Sequence, residues 1–101
     1  MFVYNVTIKI NAAIESDWLP WQKEEHIPEV MATGFFTEYK FFRLLDQDDS
    51  EGPTYIIQFF ANNRSDYERY IEECAGELRN RVLLKWGDAF VAFRTIMEVV
   101  N

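Results

Sequence analysis

The chain has 101 residues, a formal net charge of -7, 49% hydrophobic side chains and 17% aromatic ones. A chain this short has room for one core, and one this apolar is not disordered. The acidic balance, with no Lys/Arg cluster to offset it, argues against nucleic acid and anionic membrane as partners.

No apolar run reaches the roughly 18 residues of a membrane span. The single cysteine, Cys74, cannot form an internal disulfide. The N-terminus reads as a strand rather than a leader, so a reducing cytoplasm is the expected compartment. No Cys/His ligand set is present, so neither a metal site nor another cofactor is expected.

Residues 2–10 alternate, with Phe2, Tyr4, Val6, Ile8 and Ile10 on one face and Val3, Asn5, Thr7 and Lys9 on the other. That is a strand with one greasy side. A helical stretch follows over about 14–31, capped by Asn11 or Ser16. Pro20 fits it only in the first turn, and Pro28 is expected to kink or split it. Gly34 closes this segment; FFTEYKFFRLLD (35–46) and TYIIQFFA (54–61) read as strands around the polar turn DQDDSEGP. A second helix opens near residue 62, where Ser65 and Glu68 have capping-box spacing. Its apolar stripe is Tyr67, Tyr70, Ile71, Cys74 and Leu78, and Gly87 is its stop. AFVAFRTIMEVV (89–100) is the last strand.

The order β-α-β-β-α-β predicts a single α+β domain over 1–101. It is a ferredoxin-like sandwich with strand order 4-1-3-2 and both helices on one face of an antiparallel sheet. The other face is bare. On it the alternation places Val3, Asn5, Thr7 and Lys9 from the first strand and Ile56, Gln58 and Phe60 from the third. The fourth strand adds Phe90, Ala92, Arg94, Ile96 and Glu98. For the second strand Thr37, Tyr39, Phe41 and Arg43 are preferred over Phe36, Glu38, Lys40, Phe42 and Leu44. Such a face is too apolar to leave wet and too polar to bury against hydrocarbon. A second copy of the sheet satisfies both demands, either as a filled dimer core or around a pocket for a small molecule.

WLPWQKEEHIPEVMATGFF resembles the first-helix signature of EthD-like and related small barrels. The whole chain resembles the dimeric α+β barrel superfamily, which also includes antibiotic-biosynthesis-monooxygenase-like proteins. YNVTIKI, WQKEEHIPEVMATG and GDAFVAFRTIMEVV together are similar to a small uncharacterised bacterial family known only as a domain of unknown function. The resemblance implies a homodimer whose sheets form a barrel, with pockets between sheet and helices in which small organic molecules are bound and sometimes transformed. It supplies no reaction. One branch, the haem-degrading monooxygenases, pairs an asparagine of the first strand with a histidine of the second helix. Asn5 suits that pattern, but DYERYIEECAGELRNRVLLKW has no histidine, so haem is not expected.

His26 is the one side chain whose ordinary pKa lies near neutrality. It either caps a carbonyl freed by Pro28 or acts as general acid or base, with Glu25 or Glu29 orienting it. Trp18 and Trp21 share a stripe with Ile14 that reads as core, with Trp21 also a candidate ligand contact. Arg94 and Arg43 either hold an anionic ligand or pair with Glu98 and Glu38. Asn5, Tyr39 and Gln58 complete the candidate ligand set, and Cys74 reads as an inert core thiol. The leading expectation is a homodimer that binds a small, partly apolar molecule, with or without cofactor-free catalysis by His26. The competing one is a regulatory or interaction module with no cavity.

Overall fold

The computed structural model describes residues 1–101. Its strands are β1 (Phe2–Ile10), β2 (Glu38–Arg43), β3 (Thr54–Ala61) and β4 (Phe90–Glu98). Two long helices follow β1 and β3. Helix α1 comprises Glu15–Trp21, a π-turn over Gln22–His26, and Ile27–Ala32; helix α2 comprises Arg64–Tyr70, a π-turn over Ile71–Ala75, and Gly76–Trp86. The sheet has the order β2-β3-β1-β4 with antiparallel neighbours throughout, which is the expected 4-1-3-2 order read from the opposite edge.

Central strand β1 sets the core. Phe2, Tyr4, Val6, Ile8 and Ile10 are each at most 8% exposed and pack beneath the helices. Trp18, Ile27 and Val30 cover them from α1; Tyr70, Ala75 and Leu78 do so from α2. Aromatic contacts tie the layers together: Trp18 lies 5.1 Å from Tyr55 and 6.1 Å from Phe41, and Phe36 lies 4.9 Å from Tyr70. The start of α1 is pinned to the sheet by Glu15, which accepts from Tyr55 Oη at 2.6 Å and from Arg43 at 3.3 Å.

The helix boundaries follow local chemistry, with some differences from the expected caps. Asn11 caps a short turn over Ala12–Ile14 by accepting the Ala13 amide at 2.9 Å. Asn63, rather than Ser65, caps α2 by accepting the Asp66 amide, and Glu68 pairs with Arg64 instead of closing a capping box. Pro20 lies inside the first segment of α1, not in its first turn. It is exposed, as is Ser16, whose carbonyl would otherwise receive an amide from this position. Pro28 sits in the first turn of the last α-helical segment of α1. The chain widens into the π-turn just before it, and the Ile27 amide reaches back five residues to the Gln22 carbonyl.

The turn between β2 and β3 closes against the end of β1. The Ile10 amide donates to Pro53 and the Ala12 amide to Glu51, each at 3.1 Å. Gly52 makes this approach possible: its φ is 151°, and a Cβ there would overlap the Ile10 carbonyl oxygen.

Pairing register corrects two of the expected faces. Val3, Asn5, Thr7 and Lys9 lie opposite Phe60, Gln58, Ile56 and Thr54, so the uncovered face of β1 and β3 is as expected. On β4, however, the partners of those residues are Met97, Thr95, Phe93 and Val91. Phe90, Ala92, Arg94, Ile96 and Glu98 therefore point to the helix side. On β2, Glu38, Lys40 and Phe42 oppose Phe60, Gln58 and Ile56 and share the uncovered face; Tyr39, Phe41 and Arg43 do not. The bulky Phe41 fits between Trp18 and Tyr55 and fixes that phase.

Trp18 is 1% exposed, whereas Trp21 is half-buried. Trp18→Ala is expected to cost about 3–5 kcal/mol and Trp21→Ala clearly less. Urea denaturation of the two variants checks the order; equal losses would mean that Trp21 anchors α1 as strongly as Trp18.

Candidate functional site

Between the helices and the β1–β4 side of the sheet lies a cavity of about 50 Å³. That is room for roughly three or four waters, or a molecule of a few heavy atoms. Its walls are mainly hydrocarbon, with 11 of 15 lining residues hydrophobic. The four exceptions are Gln22 and His26 from α1, Arg79 from α2 and Arg94 from β4, and two of the aromatic residues, Tyr4 of β1 and Tyr70 of α2, add hydroxyls.

The helix geometry explains why these groups meet. Trp18, Gln22, His26 and Val30 all line the cavity, at a strict spacing of four. On an unbroken α-helix, each step of four overshoots a full turn by about 40°, so the row would spiral away from the sheet. The π-turn over Gln22–His26 takes up about one residue of winding and straightens the row. Helix α2 does the same with its own π-turn before Leu78 and Val82.

Tyr4 Oη sits at the centre of the polar set. It accepts from Arg79 Nη2 at 2.9 Å and from Arg94 Nε at 3.1 Å. Gln22 is 2% exposed, and its Oε1 is sealed from solvent with no hydrogen-bond partner; Arg79 Nε is likewise sealed and unpartnered. His26 stacks on Trp21 with ring centroids 5.0 Å apart, and Trp86 meets Trp21 edge-on at 5.5 Å. Burial lowers the His26 pKa from 6.5 to about 4; Glu29 opposes this shift and Arg94 adds to it. The ring is therefore neutral at pH 7 and offers a lone pair. Burial also pushes the Tyr70 phenol well above its usual range, so Tyr70 remains a protonated donor.

The expected site residues separate into two groups. His26 and Arg94 reach the cavity together, and Trp21 backs the His26 ring without lining it. Asn5 and Gln58 lie on the opposite side of the sheet, where Asn5 donates to Thr7 and Thr95 at 3.2 Å. Tyr39 is on the helix side but at the edge strand, 45% exposed and away from the cavity. His26 makes no side-chain capping bond, so its role is not to finish the turn at Pro28. Of the two expected orienters of His26, Glu25 is exposed and Glu29 binds Arg81 at 2.8 Å. Neither arginine makes its expected cross-strand pair: Arg94 binds Tyr4, and Arg43 binds Glu15 and Asp49. Cys74 packs against the core.

Sequence reasoning missed Tyr4, Gln22, Tyr70 and Arg79. Tyr4 and Tyr70 looked like core aromatics, and nothing local distinguishes Arg79 from the exposed Arg81 two positions later. Gln22 did leave a trace. It is a polar residue four positions after Trp18 and four before His26, where an apolar stripe would continue.

The architecture is that of the ferredoxin-like α+β sandwiches, and solved structures share it at low sequence identity. An ethyl tert-butyl ether D (EthD) family protein from Bacillus halodurans superposes with a TM-score of 0.71 at 11% identity, covering 99% of this chain and 100% of that one. A dimeric ferredoxin-like protein from an uncultured marine organism gives 0.71 at 16%, covering 99% and 95%. An antibiotic biosynthesis monooxygenase gives 0.71 at 16%, covering both chains completely. No curated protein matches the sequence. The chain belongs to the DUF4286 family, a domain of unknown function, whose profile matches residues 1–100.

The neutral His26 gives folding a pH dependence of definite sign. The unfolded chain takes up a proton near pH 6.5, whereas the folded chain resists it down to about 4. This contribution is fully present above pH 6.5 and is lost as the pH falls toward 4, at up to about 1.4 kcal/mol per unit. His26→Gln removes it. Denaturation midpoints at pH 7 and pH 4.5 are expected to fall less for the variant than for the parent, by a margin on the order of 2–3 kcal/mol. Parallel falls would show that the ring titrates freely in the folded protein.

Proposed function

We propose that the chain acts as a homodimer joined through its uncovered sheet face, and that each subunit binds a small, partly apolar organic molecule in the sheet–helix cavity. The observation that carries the binding role is the pair of sealed, unpartnered polar atoms, Gln22 Oε1 and Arg79 Nε, beside an otherwise hydrocarbon space. Each costs about 1–3 kcal/mol while unpaired. A bound molecule with matching groups offsets that cost, and apolar pockets with a few convergent polar groups are the usual form of such sites. Neutral His26 is the group that accepts a hydrogen bond, or a proton if the bound molecule reacts, and this chemistry needs no cofactor. The fold shared with an antibiotic biosynthesis monooxygenase supports a catalytic form of this reading.

The dimer follows from the uncovered face. Phe42, Phe93, Val91 and Met97 are 43%, 65%, 55% and 39% exposed on it. Exposed apolar side chains gathered on one face in this way are characteristic of an interface core. One polar row, Lys40–Gln58–Asn5–Thr95, crosses all four strands between two largely apolar rows. In this arrangement Asn5 and Gln58 serve the seam between subunits, where they pair with the partner's polar row. A structural neighbour described as a dimeric ferredoxin-like protein supports it.

Two outcomes test these roles separately. Light scattering at micromolar concentration is expected to give twice the chain mass, and Phe60→Asp to dissociate or unfold the dimer, because it places an unpaired charge in the seam. A stable dimer carrying Phe60→Asp would refute the interface. For the cavity, compounds of a few heavy atoms, such as lactate and isobutanol, are expected to raise the parent's melting temperature by several degrees. Ala92→Phe, which fills the space, should abolish that rise while the fold is retained. If no such compound stabilises the parent, the cavity is structural and the protein is an interaction module.

A further inference from the structure

Six arginines occur in the sequence, and four of them pair with carboxylates: Arg43 with Glu15 and Asp49, Arg64 with Glu68, Arg69 with Glu73, and Arg81 with Glu29 and Glu77. The two left over, Arg79 and Arg94, both border the sheet–helix cavity, and no aspartate or glutamate borders it. In a chain with a net charge of -7, this local balance is the reverse of the whole. His26, the remaining basic side chain on the walls, is neutral at pH 7 and leaves the sign unchanged. The two guanidinium groups share one neutral acceptor, Tyr4 Oη, at 2.9 and 3.1 Å. A phenol oxygen offsets none of their charge. A carboxylate does, and it accepts charge-assisted hydrogen bonds as well.

Arg79 has the greater need of such a partner. Its Nη2 donates to Tyr4, but its Nε is sealed from solvent and donates to nothing. Gln22, from the other helix, has the opposite need. It is 2% exposed, and its sealed Oε1 has nothing to accept from. The residues around the cavity thus include one orphan donor and one orphan acceptor, and the fold does not pair them with each other. Water alone in this space would leave the hydrocarbon of Val6, Ile8, Trp18 and Val30 facing it. A molecule with a short aliphatic part meets those walls and the two polar needs together. The volume of about 50 Å³ limits it to a few heavy atoms.

We propose that the ligand is a short-chain aliphatic hydroxy acid of about the size of lactate, its carboxylate accepting from Arg79 and its hydroxyl donating to Gln22 Oε1. This assignment rests on the cavity being a ligand site. It adds two independent demands to that reading, a negative charge and a hydrogen-bond donor. In so small a molecule both groups lie on neighbouring carbons.

Lactate, isobutyrate and propane-1,2-diol test the two demands separately on the full-length protein at pH 7, in titrations followed by amide NMR shifts. Isobutyrate replaces the hydroxyl of lactate by a methyl group, and the diol replaces its carboxylate by a neutral hydroxymethyl group. The better lactate enantiomer is expected to bind about tenfold more tightly than either, the usual scale for one charged or buried hydrogen bond. Gln22→Leu, which keeps the volume and removes the acceptor, should abolish the advantage over isobutyrate and leave the advantage over the diol. Arg79→Gln should do the reverse. Gln22→Leu also removes an unpaired buried group, so the ligand-free variant is expected to melt no lower than the parent. A clear fall would show that the Gln22 amide already has a partner and would overturn the hydroxyl assignment. If the diol binds as tightly as lactate, the anion assignment falls and the cavity reading stands. If isobutyrate does so, the hydroxyl assignment falls and the cavity reading again stands. If neither these probes nor isobutanol binds at about 10 mM, this proposal and the cavity reading beneath it fall together.

Discussion

The two-residue alternation of β1 is the constraint on which the rest of the molecule depends. Because β1 is a central strand, flanked by β3 and β4, its phase is imposed on both neighbours through backbone pairing. One set of its side chains is committed to the helices and the other to the free face, and a slip of one residue would exchange them entirely. Tyr4 belongs to the first set. Its ring packs 5.9 Å from Tyr70 and 6.1 Å from Phe36, while its hydroxyl ends at the meeting point of two arginines. A single side chain therefore joins the core to the cavity, and the cavity inherits the rigidity of the sheet.

The same phase divides polar function between two surfaces that never meet. Asn5 and Gln58 face each other across β1 and β3 on the free side, while Tyr4 and Arg94 face the helices. The sheet separates them by the thickness of its own backbone. The cavity is bordered by neither Asn5 nor Gln58, and the free face carries neither His26 nor Arg79. The two surfaces differ in chemistry accordingly, the cavity holding arginines and sealed polar atoms and the free face holding largely apolar rows.

How much of this was legible in the sequence depended on how sharply each strand alternates. β1 and β3 have one decisively apolar set each, and their bounds and phase are as the sequence implies. β4 does not: Val91, Phe93 and Met97 compete with Phe90, Ala92 and Ile96, and both sets contain a polar residue. Arg94 looked like a polar tip on a free face, because sequence alone does not reveal that its side chain reaches the hydroxyl of Tyr4. β2 failed for a related reason. Both of its alternating sets carry aromatics, Tyr39 and Phe41 against Phe42, so composition does not decide which set faces the helices. Within the site, His26 and Arg94 were visible as chemistry, whereas Arg79 and Gln22 emerge only once helix winding is known.

That winding has a consequence for how this sequence can change over time. A row of four contacts spaced by four, Trp18 to Val30, covers three steps of four residues. A plain α-helix turns through that length with about 120° of excess, and the π-turn cuts the excess to about 20°. A π-turn amounts to one surplus residue lodged in a helix. Losing any one residue between Gln22 and His26 would let the segment relax into ordinary α-helix, at little local cost. The two halves of α1 would then keep their own sheet contacts but share one fewer position on the inner row. Helix α2 carries the same surplus on the other side of the cavity. A substitution along these helices changes one group on the inner row, whereas a single-residue deletion at a π-turn removes a position from the row altogether. In this chain the number of residues, as much as their identity, determines which groups face the cavity.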